Sequence, residues 1–253
     1  MNLQSIGRTL CRVEGGKLNN KIISISTKDE DDADITKKFN TLTLTGTSKF
    51  QQIPDIETER QIGFITGASG SGKSTYIKKY VMQYKKAFKK NPIYLFSALK
   101  EDESLDEVKP SRIKIDDDLV SNPIDIEDFK DSLIIFDDID VIRDKKQRGA
   151  VYDILSQVLE VGRHHNISCW VSNHLPTAGK DTRRILNEAH FIVYFPHSGS
   201  ARQLNYLLQG YIGLDKKDIK KLKNSKSRWA TIFKNYPMIA MTEKEIFVIS
   251  STE

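Results

Sequence analysis

Gly67, Ala68, Ser69, Gly70, Ser71, Gly72, Lys73, Ser74 and Thr75 form the stretch of this chain whose residue types and spacing point most directly to chemistry. They follow the apolar run Ile62–Thr66 and open a helical pattern, so Gly-x-x-x-x-Gly-Lys-Ser stands between a strand and a helix. That context predicts a loop that binds a nucleoside triphosphate, ATP or GTP, with Mg²⁺. Glycines let the backbone curl so that successive N–H groups face phosphate oxygens, and the following helix adds its positive end. Lys73 is placed to reach the β- and γ-phosphates, and the Ser74 hydroxyl to ligate Mg²⁺.

A second signal is Leu133-Ile134-Ile135-Phe136-Asp137-Asp138, an apolar strand ending in acid. Asp137 is the candidate Mg²⁺ ligand, at the strand end where open α/β sheets bind ligands. Asp138 is the candidate for polarising an attacking water. Asp140 adds a third carboxylate without an assigned role. Ser172-Asn173-His174 ends the next expected strand, and the Asn173 amide is the candidate sensor of the γ-phosphate and the lytic water. His174 reads more simply as a structural group. Arg163, between a helix and that strand, is the candidate arginine finger acting on a neighbouring subunit's nucleotide, since a planar, always-charged fork matches phosphate oxygens. Arg183 and Arg184 are its rivals, and a surface ion pair is the plain alternative. His164 and His165 are sequence neighbours whose side chains diverge, which does not suit zinc.

The chain has 253 residues, enough for one large α/β domain with a small appendage. Hydrophobic residues make up 38% and charged residues 29%, the balance of a globular protein with a sizeable core. No apolar run approaches the roughly 20 residues of a membrane span, and the N-terminus lacks signal-peptide architecture. Two cysteines, Cys11 and Cys169, imply no disulfide framework. The net charge of +5 is unevenly spread: acids collect at Asp29–Asp34, while lysines load residues 78–90 and 216–226. Basic clusters suit a polyanion partner, although lysines also decorate solvated helix faces. Ser227-Arg228-Trp229 reads either as a nucleic-acid contact or as an edge aromatic.

These residues must be positioned by alternating elements. Strand-like runs are expected at Ile62–Thr66, Ile93–Ser97, Leu133–Phe136, Ile167–Ser172 and Phe191–Phe195. Helical patterns fall at 73–90, 147–163, 182–189, 201–211 and 215–224. The fold class that follows is α/β, a doubly wound, mostly parallel sheet flanked by helices. Residues 1–55 read as a small β-rich extension, with alternation at 21–26 and 41–45, and residues 56–253 as the nucleotide domain ending in strands at 229–233, 238–241 and 246–249.

The constellation Gly67–Ser74, Leu133–Asp138, Gly162-Arg163-His164 and Ser172-Asn173-His174-Leu175-Pro176 resembles the FtsK–HerA superfamily of DNA-pumping ATPases. More narrowly, it resembles the genome-packaging ATPases of large double-stranded DNA viruses. Thr182–Glu188 and Ser227–Trp229 add to the likeness, which covers roughly residues 60 to 235. The resemblance implies a homo-oligomeric ring, a hexamer, that hydrolyses ATP between subunits and threads double-stranded DNA, with capsid components as further partners. It also implies residence in the cytoplasm of an infected host cell or in the virion. Asp137-Asp138 replaces the usual Asp-Glu, and Asn173 the usual Gln, each shorter by one methylene. Two alternatives stay open: an AAA+-like ATPase for replication initiation or helicase loading, with its finger at Arg183 or Arg184, and a low-turnover nucleotide-dependent switch.

Overall fold

The computed structural model describes residues 1–26, 35, 37–58, 60–177 and 179–249. The acidic run Asp29–Asp34 lies outside the described residues. The chain divides into two compact units, Met1–Glu57 with His190–Glu253, and Thr58–Ala189.

The first unit starts with Arg8–Glu14 (β1), Ile22–Ile25 (β2), Thr41–Thr43 (β3) and Lys49–Gln52 (β4). Strands β2, β1 and β4 form an antiparallel sheet in that order, with a register shift between Thr9 and Cys11. Leu10, Cys11, Val13, Ile23, Ile25 and Phe50 are its buried apolar residues.

The second unit holds Ile62–Thr66 (β5), Lys73–Ala87 (α1), Ile93–Ser97 (β6), Glu103–Asp106 (α2), Ser111–Arg112 (β7), Asp117–Ser121 (α3), Leu133–Asp137 (β8), Lys145–Val161 (α4), Ser168–Asn173 (β9) and Lys180–Glu188 (α5). Its strands run parallel in the order β5-β9-β8-β6-β7. Every residue of β5, β8 and β9 is buried, which is why these strands read as continuous apolar runs rather than alternating ones. On α1, Tyr76, Tyr80 and Tyr84 recur every fourth residue beside Ile77 and Val81, giving one buried stripe. Tyr76 and Tyr80 meet Trp170 of β9 edge-on, at 5.9 and 5.1 Å between centroids. That packing fixes α1, and with it the loop ahead of it, against the sheet.

Residues 98–132 carried no expectation from periodicity. They fold into α2, β7, α3 and a 3₁₀ turn at Ile126–Phe129. Asp102, Asp116 and Asp125 each start one of these short helices by accepting a backbone N–H two or three residues on.

The chain then returns to the first unit with Phe191–Tyr194 (β10), Ala201–Asn205 (α6), Lys216–Lys223 (α7), Ala230–Phe233 (β11), Ile239–Thr242 (β12) and Glu245–Val248 (β13). There β3-β13-β12-β11-β10 are neighbours in that order, every pair antiparallel. The helix expected over 201–211 is α-helical only to Asn205 and continues as a π-helical segment, Tyr206–Tyr211. Gly210 lies against the Tyr206 ring, where an added Cβ would come within 3.1 Å of it. The parallel sheet with flanking helices and the added terminal strands agree with the expected α/β P-loop NTPase class. Among the described residues no helix is long and apolar enough to cross a membrane.

Candidate nucleotide site

Lys73, Ser74, Asp137 and Asp138 collect on the rim formed by the C-terminal ends of β5, β6, β8 and β9. The loop between β5 and α1 turns through Gly70 at φ +72° and Gly72 at φ +110°, conformations that L side chains rarely adopt. Nothing lies within 4 Å of a Cβ built on Gly70, so torsion rather than crowding demands glycine there. The Gly67 N–H donates to the Asn173 carbonyl at 3.3 Å, which ties the start of the loop to the end of β9.

Lys73 is only 6% exposed. Its ammonium donates to the Gly67 carbonyl at 3.2 Å and lies 3.3 Å from His174 Nδ1 and 3.6 Å from Asp138 Oδ1. An ammonium has only donors, so Nδ1 accepts and the ring proton sits on Nε2, 3.2 Å from Asp138 Oδ2. Lys73, His174 and Asp138 thus form a closed triangle. Asp138 follows β8 in the left-handed conformation, φ +47°, which turns its side chain back over the rim. Its N–H donates to Ser172 Oγ at 3.1 Å.

Asp137 is buried. It accepts from Ser172 Oγ at 2.6 Å and from Ser97 Oγ at 3.3 Å. Burial pushes its carboxyl above the ordinary range; the charges of Asp138 and Asp102 push the same way, and the two hydroxyls hold it back. Between the ordinary and the raised pKa the native state binds the proton more firmly than the unfolded chain. Stability therefore falls as pH rises through that window, and ionised Asp137 costs stability at pH 7. Asp137→Asn is expected to raise the melting temperature at pH 7 by a few degrees, on a scale of about 2–4 °C per kcal/mol, and by less near pH 4. Thermal melts at the two pH values check this, and a lowered midpoint at pH 7 contradicts it.

Ser74 Oγ donates to Asp102 Oδ2 at 2.9 Å. Sequence reading missed Asp102; its signal was the N-cap spacing to Leu105, whose N–H it accepts at 2.8 Å. Among the described residues no group of three or more His, Cys, Asp or Glu could hold a metal ion. The oxygens of Ser74 and Asp137 nonetheless fit Mg²⁺, which takes one or two protein oxygens and completes its shell with waters and phosphates. Thr66 Oγ1, Ser71 Oγ, Asp140 Oδ1 and Asn173 Oδ1 are buried without a hydrogen-bond partner, which leaves polar groups in and beside the loop for a polar ligand.

The remaining candidates are not all brought together. Asn173 pairs in register with Thr66, and strand alternation sends its side chain to the opposite face from Ser172. His174, one residue on, is the group that touches Lys73 and Asp138. Arg163 lies in a 3₁₀ turn, Gly162–His165, before the first residue of β9. It is exposed at the opposite end of the sheet from Lys73, separated by about 20 Å of strand. Arg183 and Arg184 are both exposed, and Arg184 is tied within the chain to Ser156 at 2.7 Å and Glu160 at 3.3 Å. Both cysteines are free and buried, and burial pushes the Cys169 thiol up to about 12.

Residues 44–193, more than half of the chain, match the family described as Novel STAND NTPase 3. The chain is 42% identical over 245 residues to protein V3 of Sputnik virophage, spanning 96% of each. Among solved structures, it is similar to the genome packaging NTPase B204 from Sulfolobus turreted icosahedral virus 2 in complex with ATP-gammaS. That match has a TM-score of 0.51 and 15% identity, over 74% of this chain and 98% of that one. The pCW3 conjugation coupling protein TcpA with ATPgS matches with a TM-score of 0.51 and 13% identity, over 95% of this chain and 77% of that one. At these identities the structural likeness is one of fold. With a sequence match across the whole nucleotide-binding unit and a parallel sheet whose rim gathers Lys73, Asp137 and Asp138, the chain belongs to the Novel STAND NTPase 3 family, on the P-loop fold also found in a viral genome-packaging NTPase.

Proposed function

We propose that this chain is a Mg²⁺-dependent ATPase whose homohexameric ring moves double-stranded DNA and serves the packaging of a viral genome into a capsid. The observation that carries this reading is the convergence of Lys73, Asp137 and Asp138 at one sheet rim, with Lys73 Nζ 3.6 Å from Asp138 Oδ1. Lys73 neutralises charge on the β- and γ-phosphates, and the loop residues Gly67–Thr75 surround them with backbone N–H groups. Asp138 orients the attacking water, with His174 and Lys73 fixing its carboxylate. The Asn173 side-chain amide senses the γ-phosphate and the lytic water, while its backbone carbonyl accepts from the Gly67 N–H. Ser74 and Asp137 hold Mg²⁺, which supplies positive charge at the phosphate oxygens. Arg163 reaches the site of the adjacent subunit. The likeness to B204 and the virophage relative support a viral setting.

A cavity of about 1110 Å³ beside the same rim is lined by Ser97, Leu99, Lys100, Arg112, Lys114 and Arg143, among others. Ser97 also donates to Asp137, so a polyanion lying there borders the catalytic acids. DNA affinity is then expected to fall log-linearly with salt, with a slope near −0.9 per phosphate contacted. Binding isotherms between about 50 and 200 mM salt measure that slope. The reading itself is tested by ATP turnover with and without double-stranded DNA, beside a mass measurement of the assembly. Stimulated turnover in a ring supports it.

One observation favours the low-turnover switch: Asp138, the acid assigned to water, is engaged by both Lys73 and His174. A flat salt response with no stimulation of turnover by DNA selects that reading instead.

A further inference from the structure

We infer that Asp102 is a positioning residue for Mg²⁺ at the phosphate-binding loop: it takes the proton of the Ser74 hydroxyl and so turns that oxygen's lone pairs toward the cation. The inference rests on the nucleotide-site reading above and extends it to a residue outside both acidic and glycine-rich motifs.

A serine hydroxyl has one proton and two lone pairs. To ligate a cation it must give a lone pair to the metal and send its proton elsewhere. Asp102 Oδ2 accepts that proton at 2.9 Å, so the ligand geometry is set before any cation arrives. An ionised acceptor also makes the hydroxyl oxygen a stronger donor to the metal, as hydrogen-bonded partners of metal ligands do elsewhere.

Asp102 is itself held from every side. Its Oδ1 accepts from the Leu105 N–H at 2.8 Å, and its own N–H donates to Asp106 Oδ2 at 2.9 Å. Asp106 is in turn paired with Arg112 at 2.6 Å, and Arg112 donates to the Leu99 carbonyl at 2.8 Å. The segment is clamped to α1 by Lys78 with Glu107 at 2.6 Å and by Lys85, which donates to the Val108 carbonyl at 2.7 Å. Ser74 and its acceptor therefore belong to one rigid assembly with α1. The charge of Asp102 also acts against that of Asp137, pushing the Asp137 carboxyl up. A divalent cation relieves that opposition, whereas a structural cap alone has no need of it.

The test is a fluorescence titration of the full-length protein with a fluorescent ATP analogue, in excess EDTA and then across Mg²⁺ concentrations. Asp102→Asn keeps the oxygen that caps α2 and removes only the carboxylate that receives the Ser74 proton. The expected result is a rise of about 10- to 100-fold in the Mg²⁺ concentration that gives half-maximal tightening. Binding in EDTA and the melting temperature stay at wild-type values. On a Ser74→Ala background the same substitution adds nothing, because the two residues act through one oxygen. An unchanged Mg²⁺ response in Asp102→Asn overturns the inference and leaves the ATP-site reading intact. Equal loss of binding with and without Mg²⁺, or full additivity with Ser74→Ala, also overturns it. Wild-type protein that does not bind the analogue at all overturns both.

Discussion

Arg163→Ala is expected to lower ATP turnover by the assembled protein by about 10³- to 10⁵-fold while leaving nucleotide affinity unchanged. Arg163 stands at the N-terminal end of β9, and Lys73 just beyond the C-terminal end of β5, which runs parallel beside it. No side chain reaches across that span within one subunit. A ring is built from heterologous contacts, in which one face of each subunit meets the opposite face of the next. A residue at the far end of the sheet is thus where a finger for the neighbour's site is available. Arg163 is exposed and, among the described residues, no carboxylate pairs with it, so its guanidinium is free to meet phosphate oxygens. Steady-state turnover of the isolated ring, with affinity measured separately, checks the split. Turnover within a few-fold of wild type removes Arg163 from the site. Arg183→Ala run in parallel decides the AAA+-like alternative, which predicts the large loss at α5 instead. Arg184 is the weaker rival, since Ser156 and Glu160 already engage it.

Lys73→Ala is expected to lower turnover by at least about 10²- to 10³-fold, the scale for removing one preorganised donor at developing charge, and to weaken ATP binding at the same time. On the proposed reading Lys73 serves its own subunit's nucleotide, so weakened binding is expected in an isolated subunit as well. Its ammonium is buried and already surrounded by acceptors: the Gly67 carbonyl, His174 and Asp138. Phosphate oxygens arriving there replace those partners with more strongly charged ones. Truncation leaves Asp138 with His174 and Ser172 as partners, so the rim keeps its fold and the deficit is one of binding. Equilibrium binding and a thermal melt on the same sample separate the two. Binding at wild-type strength contradicts the placement of the triphosphate.

Much of the nucleotide unit was legible because its strands are buried on both faces. β5 and β6 begin and end where the apolar runs do, β8 runs one residue further than its run, and β9 is displaced by one residue. The loop was legible because glycine at two left-handed positions and a lysine at fixed spacing leave few other readings. Three things were not. The partner of the N-terminal strands was hidden: β3 pairs with β13, about two hundred residues away, and no local pattern encodes so distant a register. The short helices of residues 98–132 were hidden because four or five residues show no period; only their aspartate caps announce them. The contacts of His174 and Asp102 were hidden because each depends on a neighbouring strand or helix bringing Lys73 or Ser74 within reach.

The most direct measurement is equilibrium binding of ATP to the purified full-length protein in the presence of Mg²⁺. The account predicts saturable binding with one nucleotide per chain, weakened by Lys73→Ala and weakened when Mg²⁺ is withdrawn. Absence of saturable binding up to about 1 mM ATP, the upper end of the usual range for enzyme substrates, contradicts it.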